Sequence, residues 1–136
     1  MPCTVHWEPP DGVLRICQGR VTAAERKESI QRIFADLRFD RLSYVITDYL
    51  AVTDYETGDQ STEEIAAMHV APLITNPAIL IAAVATQPDV LANIEHFKAL
   101  RFIGDQPYRV FATEAEARAW IDEHPRPLGL RGRLPG

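Results

Sequence analysis

The feature that most constrains this chain is a pulse that recurs four times: a short apolar run rich in Val and Ile, a helix-start signal, then an amphipathic stretch. The start signals are Thr22-Ala-Ala-Glu25, Ser61-Thr-Glu-Glu64, Gln87-Pro88 and Thr113-Glu-Ala-Glu116. In the three Ser/Thr cases the hydroxyl can accept from a free amide of the first turn, while the Glu three residues on reaches back to the capping residue's own N–H. Pro88 suits a first helical position, where its missing N–H costs nothing. Strands alternating with helices in this way imply parallel pairing through right-handed crossovers. Before the first pulse, two strand-like runs, 5–8 and 13–18, flank Pro9-Pro10-Asp11-Gly12. That cluster reads as a hairpin turn with Gly12 at positive φ. The expected order is β-β-α-β-α-β-α-β-α. The fold class is α/β: a single mixed sheet with an N-terminal antiparallel edge strand, then four mostly parallel β-α units with covering helices.

Helix one is expected over 23–37, with Ile30, Ile33, Phe34 and Leu37 at core-facing spacing. A strand over 42–47 lacks polar alternation, as in a sheet buried on both faces. Residues 49–60 show no clear periodicity and read as a loop. Helix two, over 62–75, turns Ile65, Met68, His69 and Leu73 inward and is kinked by Pro72. The continuous apolar run 79–85 reads as the strand at the centre of the sheet. Val90, Leu91, Ile94, Phe97 and Leu100 form the inner face of helix three. A short strand over 108–112 precedes a last helix anchored by Ala117, Trp120 and Ile121.

At 136 residues the chain is expected to be one domain, over 1–124, able to bury roughly two-thirds of its unfolded surface without metal or disulfides. Residues 125–136 hold three Pro, three Gly and three Arg and read as a tail. The net charge of −5 divides into −8 over residues 1–124 and +3 over the tail. An acidic body argues against nucleic acid, whose affinity rests on clustered Lys and Arg. The longest apolar stretch, 78–85, is far short of the roughly 18–20 residues of a membrane span. The start of the chain lacks a basic-then-apolar signal, so a cytoplasmic location is expected. In such a compartment Cys3 and Cys17, on neighbouring strands near the same level, read as reduced thiols.

The stretch Val45-Ile-Thr-Asp48 followed by Ala51-Val-Thr53, with Val21-Thr22 opening the first helix and Ala119-Trp120-Ile121 in the last, resembles the STAS-like (SpoIIAA-like) family. That family includes bacterial anti-sigma-factor antagonists and transporter tails, and the resemblance covers about residues 3–122. It implies the α/β fold above and a regulatory, protein-binding role. In the antagonists a short Asp-Ser-Ser/Thr-Gly segment opens helix two and carries the phosphorylated hydroxyl. The corresponding region here is the longer Tyr55-Glu56-Thr57-Gly58-Asp59-Gln60-Ser61-Thr62, and no position matches that motif.

The connection 49–60 is long for a βα loop and leaves the carboxyl end of an inner strand, where open α/β sheets place ligands. Asp48, Tyr49, Asp54, Tyr55, Glu56, Thr57, Ser61 and Thr62 are therefore the candidate partner- or ligand-binding residues, joined by Phe102. Thr57, Ser61 or Thr62 is also a candidate for phosphorylation, because a helix start favours an anion; the simpler reading of Ser61 is a cap. The acidic residues fail the calcium-loop spacing. His6, His69, His96 and His124 show no metal spacing, and His69 reads as a core residue. No Gly-rich phosphate loop or nucleophile elbow occurs, so neither metal nor cofactor is expected and no catalytic residue is assigned. The leading expectation is a non-enzymatic regulatory module presenting the loop and the start of helix two to a protein partner. The alternative is a small apolar-ligand or lipid carrier, with a cavity between helices two and three closed by the loop and Phe102. Phe97, Leu100, Phe102, Ile103 and Tyr108 either complete the core or leave an apolar patch. With the free edge strand, such a patch would suit a homodimer.

Overall fold

The computed structural model describes residues 2–100 and 107–124; the tail 125–136, Phe102 and Ile103 lie outside them. Two strands, β1 (Cys3–Glu8) and β2 (Gly12–Val21), form the antiparallel hairpin, with Cys3 opposite Cys17. β3 (Tyr44–Tyr55), β4 (Leu80–Val84) and β5 (Tyr108–Phe111) follow in parallel, so the sheet order is β1-β2-β3-β4-β5. β1 is an edge, as expected, but β3 and not the apolar β4 occupies the middle. Continuous apolarity reports burial on both faces, and any non-edge strand has that.

Four helices cover one face: α1 (Ala23–Phe34), α2 (Asp59–Met68), α3 (Val70–Thr75) and α4 (Pro88–Ala99). α5 (Glu114–Glu123) covers the other, where Ala117, Trp120 and Ile121 pack on Tyr44, Ile46, Leu80, Ala82 and Val84. The capping boxes at Thr22/Glu25 and Thr113/Glu116 are both formed. The third is not. α2 starts two residues earlier than Ser61, with Gly58 as its N-cap and no side-chain cap bond.

α1 ends at Phe34, and a 3-10 turn (Leu37–Arg41) follows, started by Asp36 accepting from the Arg38 amide at 2.8 Å. Leu37 is consequently 95% exposed and not part of the core stripe. The single kinked helix expected around Pro72 is instead two. Pro72 cannot donate to the Met68 carbonyl, and the chain breaks at His69 between α2 and α3.

The hairpin turn has a cis Pro9–Pro10 bond, and Gly12 is not at positive φ. Glycine is needed there for space: a Cβ would run into the Tyr44 phenol ring. Positive φ falls instead on Gly19 (φ 65), within β2.

The largest departure is the region expected to be a loop. β3 runs on to Tyr55, paired with β2 through two register shifts: Ile16↔Asp48 is followed by Gln18↔Ala51, and Gly19↔Val52 by Arg20↔Asp54. Each shift places an extra residue on β3, as a β-bulge does. Burial therefore falls on Tyr49, Val52 and Tyr55, a spacing of three. The extra residues erase the period of two by which a strand announces itself.

Candidate functional site

β3 outlasts its neighbour. Its pairing with β4 stops at Asp48↔Val84, so Tyr49–Tyr55 is held on one side by β2 alone. On the other side the Gln87 side chain stands in for a strand: its Nε2 donates to the carbonyls of Tyr49 (2.7 Å), Val52 (2.9 Å) and Leu50 (3.2 Å). Asp48 Oδ1 accepts from the Leu50 amide at 2.9 Å, fixing the first bulge. Leu50, Ala51, Thr53 and Asp54 lie exposed on this projecting ribbon, and Asp54 pairs with Arg20 at 3.6 Å.

The candidate residues divide between two places. Asp54, Glu56 and Thr57 are exposed on the rim, and Ser61 is half-buried in the first turns of α2. Tyr49, Tyr55 and Thr62 are buried and belong to the interior, not to a docking surface. Thr62 Oγ1 accepts from Asn93 Nδ2 at 2.8 Å, and Asn93 Oδ1 accepts from Arg26 Nη2 at 2.9 Å. This chain of bonds ties α2, α4 and α1 together.

Beneath those helices lies a cavity of about 80 Å³. Ile30, Phe34, Ile65, Leu73, Ile94 and Phe97 form much of its helical wall, and Val45, Thr47, Ile81 and Tyr108 its sheet floor. One end is polar. Arg15, 4% exposed, points from β2, donating through Nε to Ser29 Oγ (2.8 Å) and through Nη1 to Thr47 Oγ1 and Tyr49 Oη (both 3.4 Å). Arg26, 3% exposed, donates to the Glu56 carbonyl (3.0 Å) and lies 4.5 Å over the Tyr55 ring. Tyr49 and Tyr55 meet edge to face at 5.6 Å. Burial pushes the Tyr55 and Tyr108 phenols well above their ordinary range, so both are neutral donors.

His69 closes part of the apolar end, edge-on to Phe34 and Phe97 at ring distances of 5.0 Å each. Its Nδ1 donates to the Ile65 carbonyl at 2.7 Å. Removal from water lowers its pKa to about 4, leaving a neutral ring with Nε2 as acceptor. Beside Arg15, Cys3 Sγ and Cys17 Sγ stand 2.8 Å apart, both buried. The Cys17 thiol donating to Cys3, aided by the Arg15 charge, lowers the Cys3 pKa from the ordinary thiol range, while Cys17 is pushed up.

Sequence reasoning missed Arg15, Arg26, Asn93 and Gln87. Arg15 carried a usable signal, a charge at an inward position of β2 between Val13 and Cys17. Among the described residues no group of three His, Cys, Asp or Glu side chains converges as a metal site. No described helix is long and apolar enough to cross a membrane.

A five-stranded mixed sheet led by an antiparallel edge strand, with helices on both faces, defines a STAS-like α/β fold. Among solved structures the chain is similar to the anti-sigma factor antagonist SpoIIAA in its unphosphorylated form, with a TM-score of 0.60 at 14% identity, covering 90% of this chain and 99% of that one. No family model and no curated protein matches the chain.

Proposed function

We propose that the chain is a non-enzymatic regulatory module that engages a protein partner through the projecting end of β3 and the start of α2. The observation that supports this reading is the overhang: seven residues of β3 beyond its last pairing with β4, carrying exposed Leu50, Ala51, Thr53 and Asp54 and leading into exposed Glu56 and Thr57. Gln87 caps the carbonyls of Tyr49, Leu50 and Val52, so a partner would engage the ribbon through its exposed side chains. The likeness to an anti-sigma factor antagonist is in keeping with such a role. The test is a surface variant, Leu50→Glu with Thr53→Arg, assayed against the partner recovered by affinity purification. Complex formation is expected to fall at least tenfold with an unchanged melting temperature. Full binding by the variant would refute the assignment.

A second reading, a small-ligand carrier, is favoured by the cavity under α1–α4. Its occupant is expected to co-purify and to appear after organic extraction and native mass spectrometry.

A further inference from the structure

Among the described residues two arginines line the cavity and no Asp or Glu does. Neither guanidinium takes part in an ion pair among the described residues. Their bonds go to neutral acceptors: Ser29, Thr47, Tyr49, Asn93 and the carbonyl of Glu56. None of the described residues accepts from Arg15 Nη2. Taking a guanidinium out of water is costly, and neutral hydrogen bonds offset only part of that cost. Proteins seldom bury such a charge unpaired. A Cys3 thiolate would balance one of the two cations and leave the cavity with a positive charge in excess.

The same space runs from these cations to an apolar wall of Ile65, Leu73, Ile94 and Phe97. Cationic at one end and apolar at the other, it matches a ligand built the same way with opposite charge. Its volume of about 80 Å³ is several times what one water requires, which sets the ligand at a handful of non-hydrogen atoms.

Resting on the carrier reading, we propose that the cavity is a binding site for a short apolar monocarboxylate, its carboxylate held between Arg15 and Arg26 and its hydrocarbon body against α2, α3 and α4. A carboxylate accepts in one plane from a guanidinium fork, and Arg15, Arg26 and Tyr49 all line the cavity. A neutral molecule of the same shape leaves the charge unanswered. Discrimination is therefore expected to rest on charge before size.

The test titrates the full chain with isobutyrate and with its neutral isostere isobutyramide, reading amide and arginine Nε–H shifts by NMR together with the melting temperature. Isobutyrate is expected to bind saturably, to shift the Arg15 Nε–H and to raise the melting temperature, with isobutyramide at least tenfold weaker. Arg15→Gln is expected to abolish the preference for the charged ligand, and Tyr49→Phe, which keeps the ring and removes only a hydroxyl, to weaken isobutyrate several-fold. Equal binding of both probes would overturn the headgroup assignment while leaving a ligand cavity in place. Saturation by neither would remove the carrier reading as well. Shifts produced equally by chloride or phosphate would mark an unspecific anion effect and overturn the proposal.

Discussion

Asn93→Ala is the most informative single change in this fold. The amide side chain is 7% exposed and sits between Arg26 Nη2 (2.9 Å) and Thr62 Oγ1 (2.8 Å), linking α4 to α1 and α2. Removing it deletes one hydrogen bond to a charged group, about 1.5–3 kcal/mol, and one neutral bond, about 1 kcal/mol. The void left by the missing atoms adds about 1 kcal/mol. The expected loss is about 3.5–5 kcal/mol, against a total stability of about 5–15 kcal/mol for a domain. It is measured by urea unfolding with circular dichroism, and by a fall in melting temperature of roughly 10–20 °C. Thr62→Val, removing only the acceptor, is expected to cost about 1–2 kcal/mol. The double variant should lose less than the sum, because both changes break the same bond. Asn93→Asp, which brings a carboxylate to Arg26, is expected to be milder than Ala at neutral pH and to worsen in acid. A loss below about 1 kcal/mol for Asn93→Ala would refute the idea that this chain of bonds holds the helical layer together.

Acid should weaken the fold through His69. Its native pKa of about 4 lies below the unfolded value of about 6.5, so between those values the unfolded chain binds a proton that the native one refuses. Stability is thus complete above pH about 7 and falls by up to about 3 kcal/mol as pH drops through that window; in His69→Gln the urea midpoint should vary less with pH. Gly12→Ala is expected to cost about 1–3 kcal/mol by driving the Tyr44 phenol from its place beside Glu8, and the cost measured by urea unfolding should shrink when Tyr44 is Leu.

The alternation of strands and helices was readable because it rests on local chemistry: an apolar run, a capping hydroxyl, a Glu three residues on. Thr22 and Thr113 behave as their sequences predict. Ser61 carries the same signal and is overruled, since Gly58 starts the helix earlier and turns Thr62 inward to Asn93. β3 was hidden for a related reason. Its bulges exist only in relation to β2, so the three-residue spacing of Tyr49, Val52 and Tyr55 has no strand-like period to detect. The site was less legible still. Tyr49 and Tyr55, candidates for partner or ligand binding by their sequence, are walls of an interior space, while the arginines that give it character come from β2 and α1. Pairing position 26 with position 93, and position 15 with positions 29, 47 and 49, is a property of the folded layers.

Arg118 on α5 reaches Glu8 at the end of β1, with contacts of 2.7 and 3.1 Å across a separation of 110 residues. During synthesis at about 5–20 residues per second, that carboxylate waits roughly 5–20 s for its partner to be made. The hairpin and α1 can settle meanwhile, but β1, one of the two edge strands, is clamped last. A nascent chain stalled before α5 would therefore lack this clamp on β1 and leave that strand more open to proteases.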